Sequence, residues 1–158
     1  MHSVHHTRRA FTLVELIAVI VVLAVLAGVA IPKYFDYTNR AKTSSVQGIL
    51  GNVRTALSSY MNNRAVSGTP AYPTVAQLRT AGTVMQDAIP RNPYNNSNAI
   101  RSTGAVNQAR NRTVSGTQGW VYYVNNAATP PTCTFWCNTS TVTTQSNGSG
   151  GFVRANNL

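Results

Sequence analysis

Carboxylates are nearly missing from this sequence. Its 158 residues include 3 Asp and Glu against 13 Lys and Arg, a formal charge of +10. Histidine is confined to His2, His5 and His6, and beyond Asp87 there is no acid at all. General acid–base catalysis needs a positioned His, Asp or Glu, and hard cations need clustered carboxylates. The inventory therefore argues against an enzyme and against a dedicated calcium or magnesium site. Cysteine is equally scarce: Cys133 and Cys137, in "PPTCTFWCNTS", are the only two. Two sulfurs with no histidine cannot complete a four-ligand zinc site. Outside the cytoplasm a small disulfide loop is the natural reading, although so short a ring limits the entropic gain. A redox-active pair is the alternative, with C-x₃-C spacing in place of C-x-x-C.

What the sequence has in excess is one apolar run. Phe11 to Ile31 covers about 21 residues, ~31 Å as a helix, enough to cross the hydrocarbon of a bilayer. Arg8 and Arg9 precede it and favour a cytoplasmic N-terminus, with everything after Pro32 outside. Glu15 interrupts the run, and a charge there is costly and usually functional. Three readings compete. One is an ordinary membrane anchor. A second is a secretory signal cut after Gly28-Val29-Ala30, which the length of the run and the placement of Glu15 disfavour. The third comes from the motif itself.

"RRAFTLVELIAVIVVLAVLAGVAIPKY" resembles the prepilin signature of type IV pilins and type II secretion pseudopilins. Phe11, Thr12, Leu13, Glu15, Leu16 and Ile17 stand where that pattern wants them, and Pro32 falls at the family's common helix break. The resemblance implies removal of a leader, residues 1–10, by a prepilin peptidase that cuts between Ala10 and Phe11 and methylates the new amine of Phe11. Ala10 departs from the usual Gly but keeps the small size. Glu15 would lie four residues from that amine on the same helix face, near a helix start that favours a carboxylate. In the family this Glu is thought to neutralise the amine of a neighbouring subunit. An unpaired charge in an apolar bundle is costly, so packing becomes conditional on register.

Beyond the membrane segment, residues 11–32, an amphipathic continuation over 33–62 is predicted. Val46, Ile49, Leu50, Val53, Leu57 and Tyr60 recur at helical spacing, with Arg40, Lys42, Gln47, Asn52 and Arg54 between them. "NNRAVSGTP" should end the helix near Asn62. Residues 63–158 then form a globular head. Thr74 to Thr80 reads as a short helix with Thr74 as N-cap. "YPT…L…IPRNPYNN" resembles, more weakly, the region after the long helix in the major pseudopilin of type II secretion. Gly119 to Val124 ("GWVYYV") is the best strand, with Trp120, Tyr122 and Val124 on one face and Val121 and Tyr123 on the other. Gly151 to Ala155 is a second strand and Ala99 to Ser102 a weak third.

The expected fold is α+β and pilin-like: a long N-terminal helix, its first half membrane-spanning, packed on a small antiparallel sheet. The resemblance implies a structural subunit of a type II secretion pseudopilus or related type IV pilus-like filament in the bacterial inner membrane. The subunit would be single-pass with its head in the periplasm. Its partners would be copies of itself, the prepilin peptidase, an inner-membrane assembly platform and ATPase, and minor pseudopilins. Major pseudopilins bind calcium near the C-terminus through aspartates; with no acid after Asp87, no cofactor is expected here. The alternative is a pilin for adhesion, motility or DNA uptake. Loss of Arg8 and Arg9 leaves about +8, a charge suited to polyanions, and Tyr72, Tyr94, Trp120 and Tyr123 could stack on bases of nucleic acid.

Overall fold

A computed structural model describes residues 11–158. Helix α1, Leu13–Val66, runs through Pro32, so the break expected there is not present in the chain as folded. Proline removes only its own N–H, leaving the Gly28 carbonyl without its i+4 donor. Membrane helices accommodate such a lesion locally. Compactness divides the chain between Thr38 and Asn39, and α1 contributes to both units.

In the first unit, α1 is apolar on every side and its side chains are exposed, from Leu13 at 72% to Ile31 at 56%. In the second unit, Thr43, Val46, Leu50, Val53 and Leu57 are buried, alternating steps of three and four along one face. The helix ends four residues later than expected. Gly68, at φ +75°, lets its N–H reach Ala65 O (3.0 Å) while Thr69 N–H reaches Arg64 O (3.1 Å). These paired bonds satisfy the last carbonyls, and a left-handed residue is what they require.

The head follows in the order α2 (Val75–Arg79), β1 (Ile100–Thr103), α3 (Val106–Arg110), β2 (Trp120–Asn125), β3 (Thr132–Cys137), β4 (Val142–Ser146) and β5 (Phe152–Arg154), closing on a 3₁₀ turn, Ala155–Asn157. Thr74 caps α2, and Gln77 returns the bond to the Thr74 N–H (2.8 Å). β1, β2 and β3 form one sheet, and β4 pairs with β5 separately.

The larger sheet is mixed rather than purely antiparallel: β2 runs antiparallel to β3, but β1 runs parallel to β2. The physical reason is the connection from β1 to β2. It is about 16 residues long and contains α3, enough for the crossover that a parallel pair needs. Both faces of the sheet are consequently covered. Trp120, Tyr122 and Phe135 pack with the α1 stripe and with Leu78, Ile89 and Ile100. Val121, Tyr123 and Trp136 pack with Ala109 of α3. Trp120 and Phe135 stack at 5.5 Å between centroids, the offset geometry aromatic pairs favour. Thr43 is a buried polar tie, its Oγ1 within 3.1 Å of Tyr94 Oη and 3.2 Å of Thr144 Oγ1.

Candidate functional site

The start of α1 is built by two residues. Thr12 Oγ1 accepts from the Glu15 N–H (3.2 Å), and Glu15 Oε2 accepts from both the Thr12 N–H and the Thr12 hydroxyl (2.9 Å each). This is a reciprocal capping box, satisfying donors that a helix start leaves unpaired. Both bonds go to Oε2; Oε1 takes no part in them. The spacing T-x-x-E was visible in "FTLVE" as a capping signal, yet the prepilin pattern assigns the Glu a different partner. Phe11 is 89% exposed. Ala10, the other side of the expected cut, lies with the leader outside the described residues. Proposed cleavage between Ala10 and Phe11 would thus fall two residues ahead of a capped helix.

The cysteines are placed against a disulfide. Cys133 and Cys137 are both free thiols and occupy the two ends of one side of β3, paired to Val124 and Trp120 of β2. Four residues of strand separate their Cα atoms by about 13 Å, against the ~7 Å limit for a bridge. The expected Cys133–Cys137 link is therefore overturned: the ladder to β2 holds the segment extended, where a loop would have let it turn back. The redox reading falls with it. Burial raises both thiols to about 11, away from the thiolate that such chemistry uses.

Cys137 instead serves the core. Its Sγ accepts from Asn92 Nδ2 (3.1 Å), which also donates to Gly119 O (2.8 Å), while Asn92 Oδ1 accepts from the Tyr94 N–H (3.0 Å). Asn92 is wholly buried, and its backbone closes the loop by bonding Ser97 O and accepting from Asn96. Trp120 Nε1 donates to Pro90 O (3.0 Å) in the same segment. Gly119 must lack a side chain, because a Cβ would strike the Ser97 carbonyl and press on Asn92 at 3.1 Å. The "PRNPYNN" stretch is thus an ordered wall of the core.

Several arginines of the second unit contact main-chain or amide oxygens. Arg54 (2.8 Å) and Arg112 (3.1 Å) converge on Leu158 O, Arg91 bonds Asn96 O, Arg154 bonds Ser140 O, Arg79 bonds Ile100 O, and Arg101 reaches Gln108 Oε1. Burial, and Arg112 beside it, lower the proton affinity of Arg54. The aromatics proposed for base stacking are in the wrong place. Trp120 is 0% and Tyr123 7% exposed, since β2 is covered on both faces, and Tyr72 and Tyr94 are half-buried.

The calcium site of the major pseudopilins does not fit the C-terminal region. Among the described residues no three His, Cys, Asp or Glu side chains gather. In the β4–β5 loop, Asn147 Oδ1 is already used by the Ser149 and Gly151 N–H groups (2.9 and 3.0 Å), an Asx-type brace made without metal. Three open cavities of the head, about 300, 430 and 320 Å³, are lined by aliphatic, amide, hydroxyl and Arg side chains.

A long helix that is apolar all round before becoming amphipathic, followed by a small α+β head, is the layout of a pilin, and the chain is type IV pilin-like. Residues 5–31 match the family model of the prokaryotic N-terminal methylation motif. The chain is 36% identical over 59 residues to the fimbrial protein EcpC of Eikenella corrodens, covering 37% of this chain and 39% of that protein. It is 40% identical over 50 residues to the type IV major fimbrial protein FimA of Dichelobacter nodosus, 32% of each. To the type IV major pilin protein PilE of Neisseria gonorrhoeae it is 37% identical over 59 residues, 37% of this chain and 35% of that protein. The chain thus spans between about a third and two-fifths of the length of these three relatives. No solved structure matches it.

Proposed function

We propose that the chain is the subunit of a type IV pilus-like filament, made as an inner-membrane monomer and assembled through α1. The observation that carries this reading is the methylation motif on residues 5–31, which takes in both the helix start capped by Glu15 and the apolar half-helix. A prepilin peptidase cuts between Ala10 and Phe11 and methylates Phe11. The span, with mean hydropathy 3.0 over its best window and none of that window buried in the chain, lies in lipid as a monomer. In the filament it is covered by copies of itself. The head faces the periplasm before assembly. An assembly platform and ATPase in the membrane supply the work of extraction.

A narrower reading is a type II secretion pseudopilus, with minor pseudopilins as further partners. The support for it is the "YPT…IPRNPYNN" resemblance. Mass spectrometry of protein extracted from membranes of its own cell tests the primary claim. The expected chain begins at Phe11 and is one methyl group heavier. A chain that keeps Met1, or one that begins after Ala30 and is soluble, overturns it.

A further inference from the structure

We propose that Tyr34, Phe35 and Tyr37 form an aromatic collar that seats α1 in one lipid headgroup layer and thereby sets the depth of Glu15. The inference rests on the reading of the first half of α1 as a membrane span. Three aromatic rings fall within four residues just beyond the apolar run, and they are 70%, 62% and 65% exposed. At about 100° per residue they point near 0°, 100° and 300° around the helix. The rings cover about 160° of the circumference, with Lys33 and Asp36 on the remaining side, and all three are exposed to their surroundings rather than packed on protein. Exposed amphipathic rings beside charged side chains, just past an apolar run, suit the boundary between lipid and water where Tyr is enriched. The Tyr34 and Phe35 rings meet edge to face at 6.3 Å. Lys33 and Asp36 stand among them, and a Lys stem can lie along lipid with its ammonium in water. From Phe11 to Ile31, by contrast, the only polar side chains are Thr12 and Glu15.

Spacing gives the collar its consequence. About 19 residues separate Glu15 from Tyr34, ~28 Å along the helix, close to the ~30 Å of bilayer hydrocarbon. With the rings in one headgroup layer, the Glu15 carboxylate, drawn back toward Thr12 by its capping bonds, reaches the opposite boundary. A charge is tolerated better there than at mid-depth. A featureless apolar rod could slide or tilt to relieve mismatch, and each turn of sliding would move Glu15 by about 5.4 Å.

The test is paramagnetic relaxation of the backbone amides of the full chain in phospholipid bicelles. One probe is a nitroxide at the lipid chain end and the other a water-soluble gadolinium chelate. Chain-end relaxation should peak near Leu23, and gadolinium effects should begin at Tyr34–Tyr37 on one side and at Thr12–Glu15 on the other. Replacing Tyr34, Phe35 and Tyr37 together with Ala should leave the chain in lipid while shifting or spreading the profile by about one helical turn. Collar amides that relax most with the chain-end probe, or a profile unchanged in the triple variant, overturn the collar. If residues 11–31 show no lipid relaxation at all, the membrane-span reading itself has failed, a result distinct from an inserted helix that ignores its aromatics.

Discussion

Asn92 satisfies two core partners and a loop amide with one side chain, from a position where nothing is exposed to water. Its amide donates to the Gly119 carbonyl, which also accepts from the Asn138 N–H, and to the Cys137 thiol, and its carbonyl ties down Tyr94. Truncation removes three buried hydrogen bonds, takes from the Tyr94 N–H its Asn92 acceptor, and opens a void beside Gly119. Asn92→Ala should therefore destabilise the head by about 2–4 kcal/mol, combining unsatisfied polar groups with a cavity. Denaturant unfolding of the full chain in detergent, followed by the fluorescence of Trp120 and Trp136, measures this directly, since both rings are buried in the head. A loss below ~0.5 kcal/mol, the scale of an exposed loop residue, would show that the segment is surface decoration.

At the scale of elements, how much was legible depends on how each residue's signal competes with its neighbours. The α1 stripe was readable because Val46, Leu50, Val53 and Leu57 repeat over several turns, and "GWVYYV" because five β-favouring residues run together. β3 was not, because Pro130, Pro131 and Asn138 flank it with turn formers and the cysteine spacing suggested a ring. Thr134, Phe135 and Trp136 were its strand signal. α3 is a single turn too short to display a period, and without it the parallel pairing of β1 had no basis. At the N-terminus the Thr12–Glu15 box was present in plain letters but overshadowed by the longer motif. Extended β3 gives a prediction opposite to that of a disulfide loop: reductant should leave head stability unchanged. Alkali should not. Both thiols sit at about 11 in the fold, above the ordinary 9, so the unfolded chain loses these protons first. Their contribution is complete below about pH 9 and is lost as pH rises toward 11. Comparing the wild type with a Cys137→Ala variant across pH 7–11 isolates the share of Cys137, whose hydrogen-bond partners Asn92 and Thr139 do not titrate, whereas Cys133 is coupled to Tyr72 and Tyr122. Equal alkaline slopes would count against a buried neutral thiol at Cys137.

For the whole molecule, the question is what one carboxylate does in a span that otherwise has only Thr12 for polarity. Two roles are superposed on Glu15. It caps its own helix through Oε2, and by the filament reading its charge meets the methylated amine of a neighbour. Substitutions separate the roles because each needs a different property. A cap needs an acceptor at the third helical position, which Gln supplies as well as Glu. Pairing with an amine needs a negative charge, which Gln lacks. Thr12→Ala removes the hydroxyl of the cap while leaving the charge. If charge pairing governs assembly, Glu15→Ala and Glu15→Gln should both leave the monomer in the membrane and cut filament yield severely, while Thr12→Ala should retain most of it. If capping governs, Glu15→Gln should assemble and Thr12→Ala should fail with Glu15→Ala. Filament yield by shearing and electron microscopy, normalised to membrane-extracted monomer, reads the difference. Normal yield from Glu15→Ala would remove both roles together, since a span freed of its only charge gains in lipid the stability that pairing would have to exceed in the bundle.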